Sequence, residues 1–257
     1  MSLLYEARPE AGQKQRFAPG DWERATNKQQ RRLVRAFDKW SAEIKKRMRI
    51  MAAAGASTVE QHAVFEESLS KLEDNLLDLI EKGIVSASRL SAGDRADLPE
   101  VKELADRHIA ENKKLVSDAL IPSIHKKLLP TIALGAAVSA TALSTAFNTV
   151  RAAPAQYAGG YWVMIFDTQK TLGKKRELER ISAGEDVEPI RWVIDPRAVH
   201  CVASSGHYGC KDLAGIYEGG WSALPTIPAG LTTCRGNCRC HLEVKRDGKW
   251  QRGVYGD

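Results

Sequence analysis

The segment TTCRGNCRCHLEV, Thr232 to Val244, packs three cysteines, two arginines and a histidine into one short run. Cys201 and Cys210 precede it, so all five cysteines lie in the last quarter of a 257-residue chain. Thiolates and imidazoles are zinc ligands, and a structural zinc takes about four in a tetrahedral array. The spacing is C-x8-C at Cys201 and Cys210, then C-x3-C-x-C at Cys234, Cys238 and Cys240. Two separated groups of this kind close a loop around one ion, and His207 and His241 stand nearby as imidazole donors. The expectation is one structural zinc on Cys201, Cys210, Cys234 and Cys238, with Cys240 or a histidine as substitute ligand. Buried structural thiols and disulfides are the alternatives.

Other chemistry finds less support. A cysteine nucleophile needs a base that the fold brings to it, and the closeness of His200 and His207 to Cys201 in sequence does not supply that geometry. No C-x-x-C redox pair, zinc-deaminase signature, phosphate-binding Walker loop, G-x-S-x-G or H-E-x-x-H occurs. The chain therefore reads as a non-enzyme. The start, MSLLYEARPEAGQKQRF, lacks a basic stretch followed by an apolar one, so no secretory signal is expected and the cytoplasm is the default compartment.

The elements upstream look like interaction devices. Residues 1–20 form an expected flexible arm, and Asp21 can cap a helix running to about Met51, where Gly55 stops it. Leu33, Phe37, Trp40, Ile44, Met48 and Met51 recur at threes and fours on one stripe of that helix. Ser57 and Glu60 make a capping box for a second helix, with Phe65, Leu69, Leu72, Leu76 and Leu79 repeating the spacing until Gly83. The two stripes predict an antiparallel hairpin in which Leu33, Phe37, Trp40 and Ile44 meet Phe65, Leu69, Leu72 and Leu76.

Charge divides unevenly between the two. Lys28 to Arg49 carries nine basic residues against Asp38 and Glu43, a net of +7, whereas the whole chain carries +6. Glu60 to Lys82 carries seven acids against two lysines, a net of −5. Either the basic flanks answer the acidic neighbour, or Arg31, Arg32, Arg35, Lys45 and Lys46 meet DNA or an acidic protein surface.

A third helix is expected from Pro99 to Pro122, and its region carries His108 and His125 as packing or surface residues without a carboxylate constellation. LLPTIALGAAVSATALSTAFNTV, residues 128–150, is uncharged but rich in alanine, serine and threonine. A closely packed buried helix is the reading, with membrane insertion as its rival. After residue 153 the composition changes. YAGGYWVMIF suits a strand or short buried segment, KTLGKKRELERISAGED a loop or short helix, and IRWVIDPRAVHC leads to the cysteines. The fold class expected is α+β, mainly α: an N-terminal helical hairpin and long helices in 21–152, then a small Cys-rich mixed α/β domain in 153–257.

Trp192, DPRAVHC from Asp195 to Cys201, Cys210, the proline-containing ALPTIPAGL and the closing NCRCHLEV from Asn237 to Val244 together resemble the C-terminal part of the phage Mu F-like head morphogenesis proteins. RHIAENKKLVSDALIPSI is similar to the helical segment that precedes it in that family. Three departures stand out: eight residues separate the first cysteine pair where the family has two, Cys234 stands where the family has a histidine, and the neutral STAFNTV replaces a threonine–glutamate pair often found on the helix before the domain. The resemblance implies a minor structural protein of a tailed phage head, portal-associated, made in the host cytoplasm and carried in the virion. Its implied partners are the portal protein and the major capsid protein, with packaged DNA a further candidate. Arg235 and Arg239, between the cysteines, would be free to meet phosphate or a partner's carboxylates. The competing classes are a nucleic-acid-binding zinc module and a membrane-active protein ejected from the particle.

Overall fold

Helix α1, Asp21–Ala53, buries most of its apolar stripe: Leu33, Phe37, Ile44 and Met48 are all at most 2% exposed, while Met51 at its end, like Leu79 of the second stripe, is half-buried. A computed structural model describes residues 21–135, 139–195, 202–203, 206–228, 230–233 and 240–252. After α1 the chain turns at Gly55, whose φ of 74° lies where a side chain would be strained. Helix α2, Thr58–Ala92, opens with the expected reciprocal cap. The Ser57 N–H donates to Glu60 Oε2 at 2.7 Å, and the Glu60 N–H donates to Ser57 Oγ at 3.3 Å.

The two helices form the expected antiparallel pair. Trp40 Nε1 donates to the Ser68 carbonyl, and Gln29 Nε2 donates to the Leu79 carbonyl, so later residues of one helix meet earlier residues of the other. The second contact explains one departure from expectation. Gly83 does not end α2 but lies within it, because a Cβ there would fall 2.8 Å from Gln29 Cδ. The glycine makes room for a side chain packed against the helix.

Helix α3, Pro99–Leu115, starts at the expected proline. Pro122 does not terminate it. Val116–Leu120 form one π turn, Ile121–Ile132 continue as α4, and Pro122 sits in the first turn of α4. A proline ring crowds the carbonyl four residues back, and a widened turn just upstream relieves that crowding. The uncharged stretch is not one helix either: α4 ends at Ile132, and Ser139 caps α5, Ala140–Val150, by accepting from the Ala142 N–H at 3.0 Å. Among the described residues no helix is long and apolar enough to cross a membrane.

Helix α6, Gly159–Ser182, runs through both the stretch read as a strand or short buried segment and the stretch read as a loop or short helix, so neither strand nor loop forms there. Its first turns hold Tyr161, Trp162, Met164, Ile165 and Phe166, all buried. Continuous apolar runs fit a helix enclosed on all sides as well as a strand, and the Leu-, Lys-, Arg- and Glu-rich continuation favours helix. Ser91 Oγ donates to the Ile165 carbonyl at 3.0 Å, tying α2 to this buried turn.

The rest is a four-stranded antiparallel sheet in the order β2-β1-β3-β4. Its strands are β1, Ile190–Val193; β2, Gly215–Tyr217; β3, His241–Arg246; and β4, Lys249–Arg252, with a one-turn helix α7, Cys210–Leu213, before β2. Ile190 pairs with Val244 and Trp192 with Leu242, all four buried on one face. The protein is thus mainly α with a small antiparallel sheet near its C-terminus, as expected.

The compact units differ from the consecutive division at 152/153. One comprises Asn27–Gly83 and His108–Ala158; the other combines the beginning of α1 up to Thr26, Ile84–Arg107 and the described residues from Gly159 onward. The core of the first is an aromatic cluster in which Trp40 lies 5.3 Å from Phe37 and 5.4 Å from Phe147, centroid to centroid. The second buries the first turns of α6 and one face of the sheet, and packs Trp221 against Gly173 of α6.

Candidate functional site

Of the five cysteines, Cys210 and Cys240 are described, and both are buried, at 0% and 1% exposure. Cys210 opens α7 and Cys240 immediately precedes β3. Cys201, Cys234 and Cys238, together with Arg235 and Arg239, lie outside the described residues. Their chain neighbours are held together. Thr233 Oγ1 donates to the Val202 carbonyl at 2.8 Å, the Thr233 N–H donates to the Tyr208 carbonyl at 3.0 Å, and the Tyr208 N–H donates to the Leu231 carbonyl at 2.8 Å. A parallel bridge pairs Tyr208 with Thr232.

His241 is engaged within the sheet, where its Nε2 lies 3.2 Å from Glu243 Oε1. Arg191, paired across β1 and β3 with Glu243, donates from Nε to Glu243 Oε2 at 2.9 Å and lies over the Trp250 ring at 4.6 Å. Burial alone would raise the Glu243 carboxyl above its ordinary 4.5, but hydrogen bonds from His241 and Arg191 and the charge on Arg191 prevail and hold it below. A depressed folded value contributes stability that is present above about pH 4.5 and is lost as pH falls through the lower folded value. Glu243→Gln should therefore cost about 1.5–3 kcal/mol at neutral pH, the scale of a charge-assisted hydrogen bond. It should also flatten the loss of stability between neutral and acid pH. Chemical denaturation of both proteins across that range checks this; parallel curves would refute it.

The basic face of α1 is built differently. Arg31, Arg32, Arg35 and Lys46 are exposed, and among the described residues none of them makes an ion pair. Lys45 is half-buried, with its ammonium 5.7 Å from the centroid of the Phe147 ring. Three acids of α2 take lysines that do not come from α1. Glu67 pairs with Lys71 and Asp78 with Lys82 on the same helix, and Glu81 pairs with Lys113 of α3. Among the described residues Arg47 reaches across, helping Lys71 to keep the Glu67 carboxyl low. Asp38, the acid within the basic stretch, is held by a two-pronged bond from Arg151 at 2.7 and 2.8 Å. Among the described residues, then, no ion pair joins Arg31, Arg32, Arg35 or Lys46 to the acidic helix beside them.

A third constellation escaped the sequence reading. His62 and Glu66 lie one turn apart on α2, and His125 reaches them from α4. Glu66 Oε1 is 2.6 Å from His125 Nε2 and 3.2 Å from His62 Nε2. His125 thus does have a carboxylate constellation, contrary to expectation. The His-x3-Glu spacing is visible in the sequence, but His125 is 59 residues from Glu66 and only the packing of α4 on α2 joins them. His108, the other histidine of that region, is buried, and its carbonyl accepts from Asn112 Nδ2 at 2.8 Å.

Beyond this fold class, comparison gives no relative: no family model, no curated protein and no solved structure matches the chain.

Proposed function

We propose that this chain is a minor structural protein of a tailed phage head, acting in head morphogenesis at or near the portal as an interaction protein rather than a catalyst. The observation that carries the reading is the C-terminal motif, with Trp192, DPRAVHC and NCRCHLEV in the order and kind of the Mu F-like proteins. The uncompensated basic face of α1 supports it. Four exposed cations without ion pairs among the described residues form a contact surface for an acidic partner, which in a head would be portal protein, capsid protein or packaged DNA.

In this reading the cysteine cluster is a structural zinc clamp of Cys201, Cys210, Cys234 and Cys238, with Cys240 or a histidine as substitute. The hydrogen bond joining Val202 to Thr233, next in the chain to Cys201 and Cys234, supports such a clamp by holding the two cysteine-bearing segments together. The burial of Cys210 and Cys240 equally suits packed thiols, so the zinc content of the purified protein is compared with that of a Cys234→Ser, Cys238→Ser variant, which should hold one zinc fewer. Well under one zinc per chain would remove the clamp.

Reversing Arg31, Arg32 and Arg35 to glutamate tests the contact surface. Incorporation into heads should fall on the order of tenfold, since three exposed ion pairs at about 0.5 kcal/mol each sum to about one decade. Folding stability should change by less than about 0.5 kcal/mol, because the three side chains are exposed. The measurement is the amount of variant recovered in assembled heads beside its thermal midpoint. Incorporation equal to wild type would show a merely solvated face. A steep salt dependence of affinity for free DNA, lost in the variant, would turn the reading toward a nucleic-acid module.

A further inference from the structure

We infer that His62, Glu66 and His125 form a binding site for a divalent transition metal of the zinc type, stapling α2 to α4. The three ligand atoms lie within 4.8 Å of one another, one from each side chain. Two imidazoles and a carboxylate suit zinc and its neighbours, and three protein ligands leave a position for water. Bonds of about 2.0–2.1 Å in a tetrahedral site place ligand atoms about 3.3 Å apart. The His62 to Glu66 distance of 3.2 Å already matches this, while the His125 to Glu66 distance of 2.6 Å needs only a small opening.

The site is also prepared. His62 and Glu66 share a helix face because they are four residues apart. His125 is fixed by stacking on Phe65, with centroids 6.0 Å apart and planes 26° apart, and Phe65 is wholly buried. Charge points the same way. The α2 acids Glu67, Asp78 and Glu81 each take a lysine, whereas Glu66 has imidazoles as its partners and no lysine or arginine among the described residues. All three side chains are between 33% and 43% exposed, so an ion can enter from solvent without the helices parting. Each neutral imidazole would turn its unprotonated Nε2 to the metal and keep its proton on Nδ1.

The site is independent of the cysteines and of the role in the phage head. The test is titration of the metal-free full chain with Zn2+, read as stoichiometry and as the shift in thermal midpoint. The double variant His62→Ala, His125→Ala should bind one zinc fewer than wild type and lose the zinc-dependent part of the midpoint shift. Glu66→Gln keeps a hydrogen-bond acceptor for the imidazoles but weakens the ligand. Its affinity at this site should fall by at least the roughly 10–100-fold that even outer-shell changes cost. Glu66→Gln also serves if the double variant fails to fold. Equal stoichiometry and affinity in wild type and Glu66→Gln would overturn the proposal, and so would a Glu66→Gln protein that loses stability equally with and without zinc, which would mark an ordinary polar contact between helices.

Discussion

Trp40→Ala should destabilise the unit built from Asn27–Gly83 and His108–Ala158 by about 3–5 kcal/mol, the range for removing a large aromatic from a packed core. The indole is 7% exposed and meets three aromatic neighbours, Phe37, Phe65 and Phe147, from α1, α2 and α5. Its Nε1 also donates to both the carbonyl and the hydroxyl of Ser68, each at 2.8 Å. Truncation removes the surface that joins three helices and leaves a cavity none of them can fill without moving. Trp40→Phe keeps part of the packing but loses the donor, and it should cost about 1–3 kcal/mol. Urea unfolding should show a lower midpoint with an unchanged slope. A change below about 1 kcal/mol for the alanine variant would mean that the hairpin does not depend on this cluster.

In the other unit, Trp221→Ala should cost a similar 3–5 kcal/mol or so, and its partner makes the result diagnostic. The indole is 2% exposed and lies directly on Gly173 of α6, where an added Cβ would fall 2.6 Å from the ring atom Cδ2. The ring has nowhere to retreat, because its own backbone N–H donates to the buried Glu177 carboxylate at 2.6 Å. Glycine to alanine in an ordinary helix interior gains about 0.8–1.0 kcal/mol. Here overpacking opposes that gain by about 1–3 kcal/mol, so Gly173→Ala should be destabilising in the natural protein. In the Trp221→Ala background the obstruction is gone and the same change should be stabilising. Four denaturation curves measure this sign reversal, and equal effects of Gly173→Ala in both backgrounds would refute the contact.

What could be read from the sequence was local or periodic. The Ser57–Glu60 cap depends on residues three apart, and the paired stripes of α1 and α2 follow from helix geometry, so both were legible. Features made by distant partners were not. Gly83 has the look of a stop signal, and only Gln29, packed against it from α1, makes it an interior residue. The aromatic run at the start of α6 fits a strand as well as an enclosed helix until its surroundings are known. Ile84–Arg107 belongs with the C-terminal residues for the same reason: contacts with α6, from Ser91 to Ile165 and from Glu100 to Lys175, not composition, assign it. Of the candidate site, the charge of α1 was legible, but whether α2 neutralised it depended on which lysines α2 carried for itself.

The π turn at Val116–Leu120 also sets the phase of everything after it. His108, Asn112, Val116, Leu120, Ile124, Leu128 and Ile132 are all buried, and each is four residues after the last. On a regular α-helix, steps of four precess by about 40° each, so such a row winds away from any fixed neighbour. One residue absorbed in a wider turn winds it back by about 100°. The π turn thus acts as a frameshift in the angular register of the helix. It keeps Ile124 and Leu128 facing inward, and it leaves His125, the next residue round, at the edge of the buried row where Glu66 can reach it.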